Sequence, residues 1–342
     1  MKSLGGVVVN DLISVIIPCF NGAGTLERCL RGAWSQEDSN FEVIVVNDGS
    51  TDGSAEIAGK FPCKLLNMEE QGGAAHARNC GAAVARGQWL FFTDADCILP
   101  RHTLRNLRRA LQAHDMDHMV LGGSYTLISG DRGFFNEFQS VFVHYHETRP
   151  VVAPDYLATH ALAISATCFA RSGGFREDLL PILEDVEYSH RLRRQGLVLK
   201  MVPDILVRHI FGFSLAGSLA NALRKTRHWV VYSLSRRDLL ADSGAASRPL
   251  KLNVASFYLC LLLLAVTLVL EVPGLMVLIV LIMGANLWCN RGLAGAMLRA
   301  AGSGFAIPGM LYYSFVYPLP IGMGGMLGVK DFLRNGPCDR LR

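Results

Sequence analysis

The stretch Val43-Ile44-Val45-Val46-Asn47-Asp48-Gly49-Ser50-Thr51-Asp52-Gly53-Ser54 decides the fold class. Four β-branched residues in a row suit a strand buried on both faces, as in a parallel sheet. The Asn, Asp, Gly and Ser that follow are turn formers, and residues 55–60 then read as a helix. The unit is strand, polar loop, helix. Reading outward, the unit recurs. Residues 13–17 form an apolar run ended by Pro18, and 25–34 place Leu26, Leu30 and Trp34 on one helical face. Residues 64–66 read as a third strand, Gly72-Gly73 opens an alanine-rich helix, and 89–92 form a fourth strand ending at Thr93-Asp94-Ala95-Asp96. Strands alternating with helices predict an α/β, Rossmann-like, mostly parallel sheet. Ligands of such sheets bind beyond the carboxyl ends of the strands, so loops 18–24, 47–54 and 93–97 are expected to line one crevice. Gly22-Ala23-Gly24 lacks the third glycine of a dinucleotide fingerprint, and no Walker loop is present.

Composition adds a second element. Of 342 residues, 51% are hydrophobic and 18% charged, with mean hydropathy +0.28, which exceeds the bias of an ordinary soluble domain. Apolar runs dominate from Asn253 onward, so transmembrane helices are expected after a soluble domain. The length excludes a many-helix transporter. Nine scattered cysteines without a CxxC pair suit a reducing cytosol, and the apolar residues 4–9 are too short for a signal peptide. Between Asp204 and Lys251 eight basic residues face three acidic ones. Such a juxtamembrane cluster predicts a collar on anionic membrane lipids, the alternative being a solvated basic face; nothing else suggests nucleic acid.

Three acidic groups can carry chemistry. Asp94 and Asp96 lie two apart at a strand end and, on an extended chain, project to one side, where Mg2+ or Mn2+ would relieve their repulsion. A solvated turn is the other reading. Asp48 and Asp52 fit either helix capping or, for Asp48 directly after its strand, hydrogen bonding to a base or ribose. Glu184-Asp185 precede a helix over 186–194, where the macrodipole favours acids and the apolar Pro181-Ile182-Leu183 could tune a general base. These alternatives stand open locally.

The ordered set resembles family 2 glycosyltransferases of the GT-A fold. It comprises Pro18 to Asn21, Asn47-Asp48-Gly49-Ser50-Thr51-Asp52, Gly72-Gly73 with Arg78-Asn79, Asp94-Ala95-Asp96, Gly173-Gly174-Phe175 and Glu184-Asp185. The resemblance implies inverting transfer of a sugar from a nucleotide diphosphate donor, with uracil favoured as the base. It implies donor contacts at Pro18, Asn21, Asp48 (base), Arg78 and Asp94 (ribose), and a divalent cation, Mg2+ or Mn2+, at Asp96. Asp185 would be the base, with Glu184 as fallback. A histidine downstream of the base reaches the metal or diphosphate in many GT-A enzymes, which points to His209. The segment Thr159-His160-Ala161-Leu162 departs from the family, and Arg224-Lys225-Thr226-Arg227-His228-Trp229 lacks the processive Gln-x-x-Arg-Trp, so one sugar or a few would be added per acceptor.

The expected organisation is a GT-A domain over 1–210, a basic interfacial segment 211–251, a membrane hairpin with a third embedded segment over 252–329, and a tail 330–342. The hairpin runs 253–270 and 272–289 turn at Pro273-Gly274, while 302–328, broken by three prolines and seven glycines, would span, re-enter or lie at the interface. Basic residues on both flanks place them, and the catalytic domain, on the cytoplasmic side of an inner membrane. The expected acceptor is a lipid-linked or membrane-proximal glycan of the cell envelope. A polyprenyl-phosphate glycosyltransferase and a non-catalytic nucleotide-sugar-binding scaffold are the rival readings.

Overall fold

A computed structural model of the chain describes residues 11–149, 154–178 and 182–337. Residues 4–9, Pro181, Cys338 and the tail beyond it lie outside the described residues. In chain order the elements begin β1 (Ile13–Cys19), α1 (Leu26–Trp34), β2 (Phe41–Asn47), α2 (Ser54–Ala58), β3 (Lys64–Asn67), α3 (Ala74–Ala83), β4 (Trp89–Phe92), β5 (Cys97–Ile98), α4 (Thr103–Ala113) and β6 (Met119–Tyr125). Then come α5 (Phe134–Thr148), a 3-10 turn (Thr159–Ala161), β7 (Leu162–Ser165), α6 (Ala166–Ser172), α7 (Glu184–Arg194) and β8 (Val198–His209). The rest is helical: α8 (Leu215–Arg236), α9 (Arg248–Leu270), α10 (Leu275–Cys289), α11 (Arg291–Ala301), α12 (Ser303–Leu311), a π turn (Tyr312–Val316) and α13 (Pro318–Asn335).

Two compact units divide the chain. The first holds residues up to 124, 157–177 and 185–207 among those described. Its sheet runs β3-β2-β1-β4-β7-β6-β8-β5. The β3-β2-β1-β4 half is parallel, and its inner strands β1, β2 and β4 read as apolar runs buried on both faces, whereas β3 at the edge is partly exposed. The other half departs from the parallel pattern: β7 pairs antiparallel with both β4 and β6. Ile16, Ile44, Val46, Leu90, Phe92 and Ile164 form the core between the sheet and its helices, with Phe175, Tyr188 and Leu192 closing it.

The second unit holds residues 125–156, 178–184 and 208 onward among those described. The aromatic repeat of α5 is core: Phe138 meets Tyr312 at 4.7 Å and Tyr317 at 5.2 Å between ring centroids. Buried amides tie the later helices together. Asn286 Nδ2 donates to Asn253 Oδ1 at 2.7 Å, Asn253 Nδ2 to the Tyr313 carbonyl at 2.8 Å, and the Tyr313 hydroxyl to Asn290 Oδ1 at 3.0 Å. Among the described residues one helix, α9, is long and apolar enough to cross a membrane. The expected second hairpin helix is shorter than its apolar run: α10 has 15 residues and bends by 59° into α11, so the two count as a span only if taken together.

Candidate active site

The loops after β1 and β2 are stitched to each other. Asn21 N donates to Ser50 Oγ, Gly22 N to Ser54 Oγ, Ala23 N to Asp52 Oδ2 and Thr51 N to Asn21 Oδ1, each at 2.9 Å. Asn21 adopts a left-handed backbone, φ 49°, which asparagine tolerates better than most residues. Hydrogen bonds from the Ser54 hydroxyl and then the Ala23 amide hold the Asp52 carboxyl below the usual carboxylate range. Asp52 is thus a loop brace, whereas Asp48 reaches elsewhere. Buried to 2% exposure, its carboxylate accepts from Gly72 N at 2.9 Å and Gly73 N at 2.8 Å, clamping the chain where it enters α3. Beside it Phe20, at 44% exposure, presents an aromatic ring that sequence reasoning passed over.

Arg78 and Asp94, expected as two donor contacts, are partners of each other. Arg78 is 4% exposed, its Nη2 lies 2.7 Å from Asp94 Oδ1, and its guanidinium sits 5.8 Å from the centre of the Phe175 ring. Asp94 to Cys97 form a turn closed by Cys97 N to the Asp94 carbonyl at 3.0 Å, so the two carboxylates do not sit on an extended strand as pictured from sequence. Burial first, and the Asp94 charge second, push the Asp96 carboxyl up to about 7; the nearby His160 works in the opposite direction. His160 is the residue that sequence reading missed. Leu162 of β7 pairs with Phe92 of β4, so the 3-10 turn ahead of β7 brings His160, 5% exposed, to the strand end that carries Asp94 and Asp96. The signal lay in the antiparallel return strand, invisible without its pairing.

The first turn of α7, which carries Asp185, is anchored through aromatic packing of Tyr188. Tyr188, one turn further along α7, stacks 4.5 Å from Phe175, and Phe175 meets Phe92 edge-on at 5.3 Å, two residues before Asp94. Asn79 grips Phe175 from both sides, accepting from its amide at 2.9 Å and donating to its carbonyl at 2.8 Å. Gly174 permits that grip: its φ is 64°, and a Cβ there would come within 2.6 Å of Asn79 Oδ1. Glu177 extends the network, 2.7 Å from Asn79 Nδ2 and 2.9 Å from His76 Nδ1. Asp185 itself is half-buried, and its Oδ1 accepts from Val186 N at 2.8 Å. Two residues earlier Leu183 holds φ 86°, a strained conformation for a leucine. Glu184, the first residue of α7, and His209, the last of β8, group with the second unit. There His209 stacks on Phe211 with ring centroids 4.1 Å apart, and its carbonyl accepts from Gly130 N at 2.6 Å.

A parallel half-sheet whose strand ends carry Asp48, Asp94 and Asp96, continued by antiparallel strands, is the GT-A architecture of a glycosyltransferase. Residues 14–162 match the family model described as Glycosyl transferase family 2. It is similar to glycosyltransferase GlyG of Streptococcus pneumoniae, 35% identical over 37% of this chain and 44% of that protein. To glycosyltransferase AglE of Haloferax volcanii it is 27% identical over 67% of this chain and 78% of the other. The chain thus spans less than half of GlyG. The solved mannosyltransferase PcManGT from Pyrobaculum calidifontis, in complex with GDP-Man and Mn2+, shares the fold with TM-score 0.55 and 20% identity, over 94% of this chain and 86% of that one.

Proposed function

We propose that the protein transfers one sugar, with inversion, from a nucleoside diphosphate sugar, UDP being favoured, to a hydroxyl of a lipid-linked or membrane-proximal acceptor. The observation that carries this reading is the convergence of Asp48, the Arg78–Asp94 pair and Asp96 at neighbouring loops of the parallel half-sheet, with Asp185 one helical turn before Tyr188, whose ring packs on Phe175 and through it on Phe92. Phe20 offers a face on which a nucleobase can stack. Asp48 retains acceptor capacity beyond its two amide bonds, and Asp94, paired with Arg78 through Oδ1, can accept from a ribose hydroxyl.

Asp96 tests whether a divalent cation fits. Its carboxyl is pushed toward the neutral form by burial and by Asp94, a shortage of positive charge that Mg2+ or Mn2+ on hard oxygen ligands would relieve. Asp96 would hold it, and a bound cation would neutralise the departing diphosphate. The protein's own groups do the rest. Asp185 takes the proton of the acceptor hydroxyl as that oxygen bonds to the anomeric carbon, on the face opposite the leaving diphosphate, and the bond from that carbon to the phosphate oxygen breaks. The macrodipole at the start of α7 favours an acidic residue at the position of Asp185. Glu184 is the fallback base.

The membrane half of the proposal rests on α9. Only 17% of its most apolar window is buried, unlike the core helix of a soluble protein, and Leu262, Leu268 and Val269 are exposed. Anchored on the cytoplasmic side of the inner membrane by α9, and by α10–α11 if that pair inserts as a second pass, the enzyme would share a surface with its acceptor. The test is Asp185→Asn. It should abolish transfer while calorimetric affinity for the nucleotide sugar stays within several-fold. Wild-type turnover in the variant would remove Asp185 from the chemistry.

A further inference from the structure

We infer that residues 303–335 lie in the plane of an anionic membrane surface, as a lipid-facing strip and not as a span; this rests on the membrane-anchored reading above. Ile307, Leu311, Phe315, Leu319, Met323 and Met326 are all exposed, from 42% to 64%, and are spaced four, four, four, four and three residues apart. In an unbroken α-helix a four-residue step rotates by about 40°, so such a series would wind around the axis. The π turn at Tyr312–Val316 takes a wider turn and brings the series back to one side.

The opposite side of the same segment is pressed on protein. Tyr312, Tyr313 and Tyr317 are buried, Tyr312 and Tyr317 against the phenylalanines of α5. Gly324 and Gly328 bring α13 backbone to backbone with α8: an added Cβ would lie 2.5 Å from the Leu223 carbonyl and 2.6 Å from that of Arg227. The Arg227 guanidinium is also paired with Asp331. This pairing decides the orientation. The matching stretch of α8 carries Arg224, Lys225, Arg227 and His228, and α13 cannot cross a bilayer without drawing those groups into hydrocarbon, where charges are costly. Neither α12 nor α13 is long and apolar enough to span by itself.

Anionic lipid is the occupant that fits. Exposed Arg224, Lys225, Lys330 and Arg334 flank the strip with positive charge, and the exposed leucines of α9 provide a second lipid-seeking surface on the same unit. Lys330 follows the strip near its end, where its stem can lie along the interface while the ammonium reaches the headgroups.

The test is depth measurement on the full chain in vesicles containing about one third anionic phospholipid. A fluorescent amino acid is placed singly at Leu311, Leu319, Met326 or Leu333, and at Leu264 in α9 as reference. Quenching is compared between lipids carrying a nitroxide near the headgroup and lipids carrying it deep in the acyl chain. The expected result is shallow quenching of equal depth at all four strip positions and deep quenching at Leu264. A depth that changes steadily from 311 to 333 would show a span and overturn the inference. Deep quenching at 264 with none along the strip would also overturn it, and would direct the strip to a protein partner. Absence of quenching at Leu264 as well would remove the membrane reading and this inference together.

Discussion

Asp48 allows a structural role to be separated from a ligand contact. In Asp48→Ala the amides of Gly72 and Gly73 lose a buried carboxylate that sits 2.9 and 2.8 Å away. Hydrogen bonds to a charged partner are each worth about 1.5 to 3 kcal/mol, and at 2% exposure water replaces them only in part, so the entry to α3 should lose about 3 kcal/mol of local stability. Every 1.4 kcal/mol is a factor of ten, which makes the expected fall in hydrogen-exchange protection about a hundredfold for residues 72–78. Asp48→Asn keeps one acceptor and turns an N–H toward the other amide, so roughly half the loss in free energy should remain. Exchange measured by mass spectrometry on the intact protein reads this directly, beside nucleotide affinity by calorimetry. If Asp48→Ala loses nucleotide binding while protection at 72–78 is unchanged, the clamp contributes nothing and Asp48 is a ligand contact only.

Asp96→Ala should abolish the dependence of nucleotide binding on Mg2+ or Mn2+, and excess EDTA should lower wild-type affinity to the same level; full activity in EDTA would refute the cation assignment. Because protons compete for Asp96, whose carboxyl is pushed up to about 7, cation affinity measured by calorimetry should weaken as pH falls through that value and level off above it. Gly328→Ala should cost about 1 to 3 kcal/mol by forcing α13 away from the Arg227 carbonyl, whereas Gly325→Ala, with nothing within 4 Å, should be neutral or stabilising; thermal melting in detergent compares them. Burial works against ionisation of Glu42, but the Ser14 hydroxyl and Arg86 win and hold its carboxyl below 4.5. Its contribution to stability is therefore complete above about pH 4.5 and lost as pH falls through the lowered value, and Glu42→Gln should flatten that acid limb of a melting-temperature profile.

Much of the catalytic domain was legible in the chain. Residues 43–46 and 13–17 announced buried parallel strands because both of their faces are covered, which leaves no polar alternation. In the helix of 103–113, Leu104, Leu107 and Leu111 repeat at helical spacing and all three are buried, so that face is legible from the chain alone. The places of β6 and β7 come from β7 returning antiparallel beside β4, a non-local pairing that no local pattern announces. That pairing is what brings His160 to the end of β4.

The sequence by itself determined which residue types stand at the strand ends, the strand-loop-helix alternation and the position of the long apolar runs from 253 onward, because these depend on local composition and period. Tertiary structure decided what each group does. Arg78 and Asp94 read as two separate contacts until folding set them 2.7 Å apart as a pair. Asp48 looked like either a cap or a ligand contact until the Gly72 and Gly73 amides met it. The run 302–328 read as a span, a re-entrant segment or an interfacial strip, and folding packs its Gly324 and Gly328 on a charged helix about a hundred residues earlier in the chain, a contact no local pattern shows. The physical reason is common to all three: a side chain's partners are set by long-range packing, while hydrophobic period records only how much of each segment is hidden.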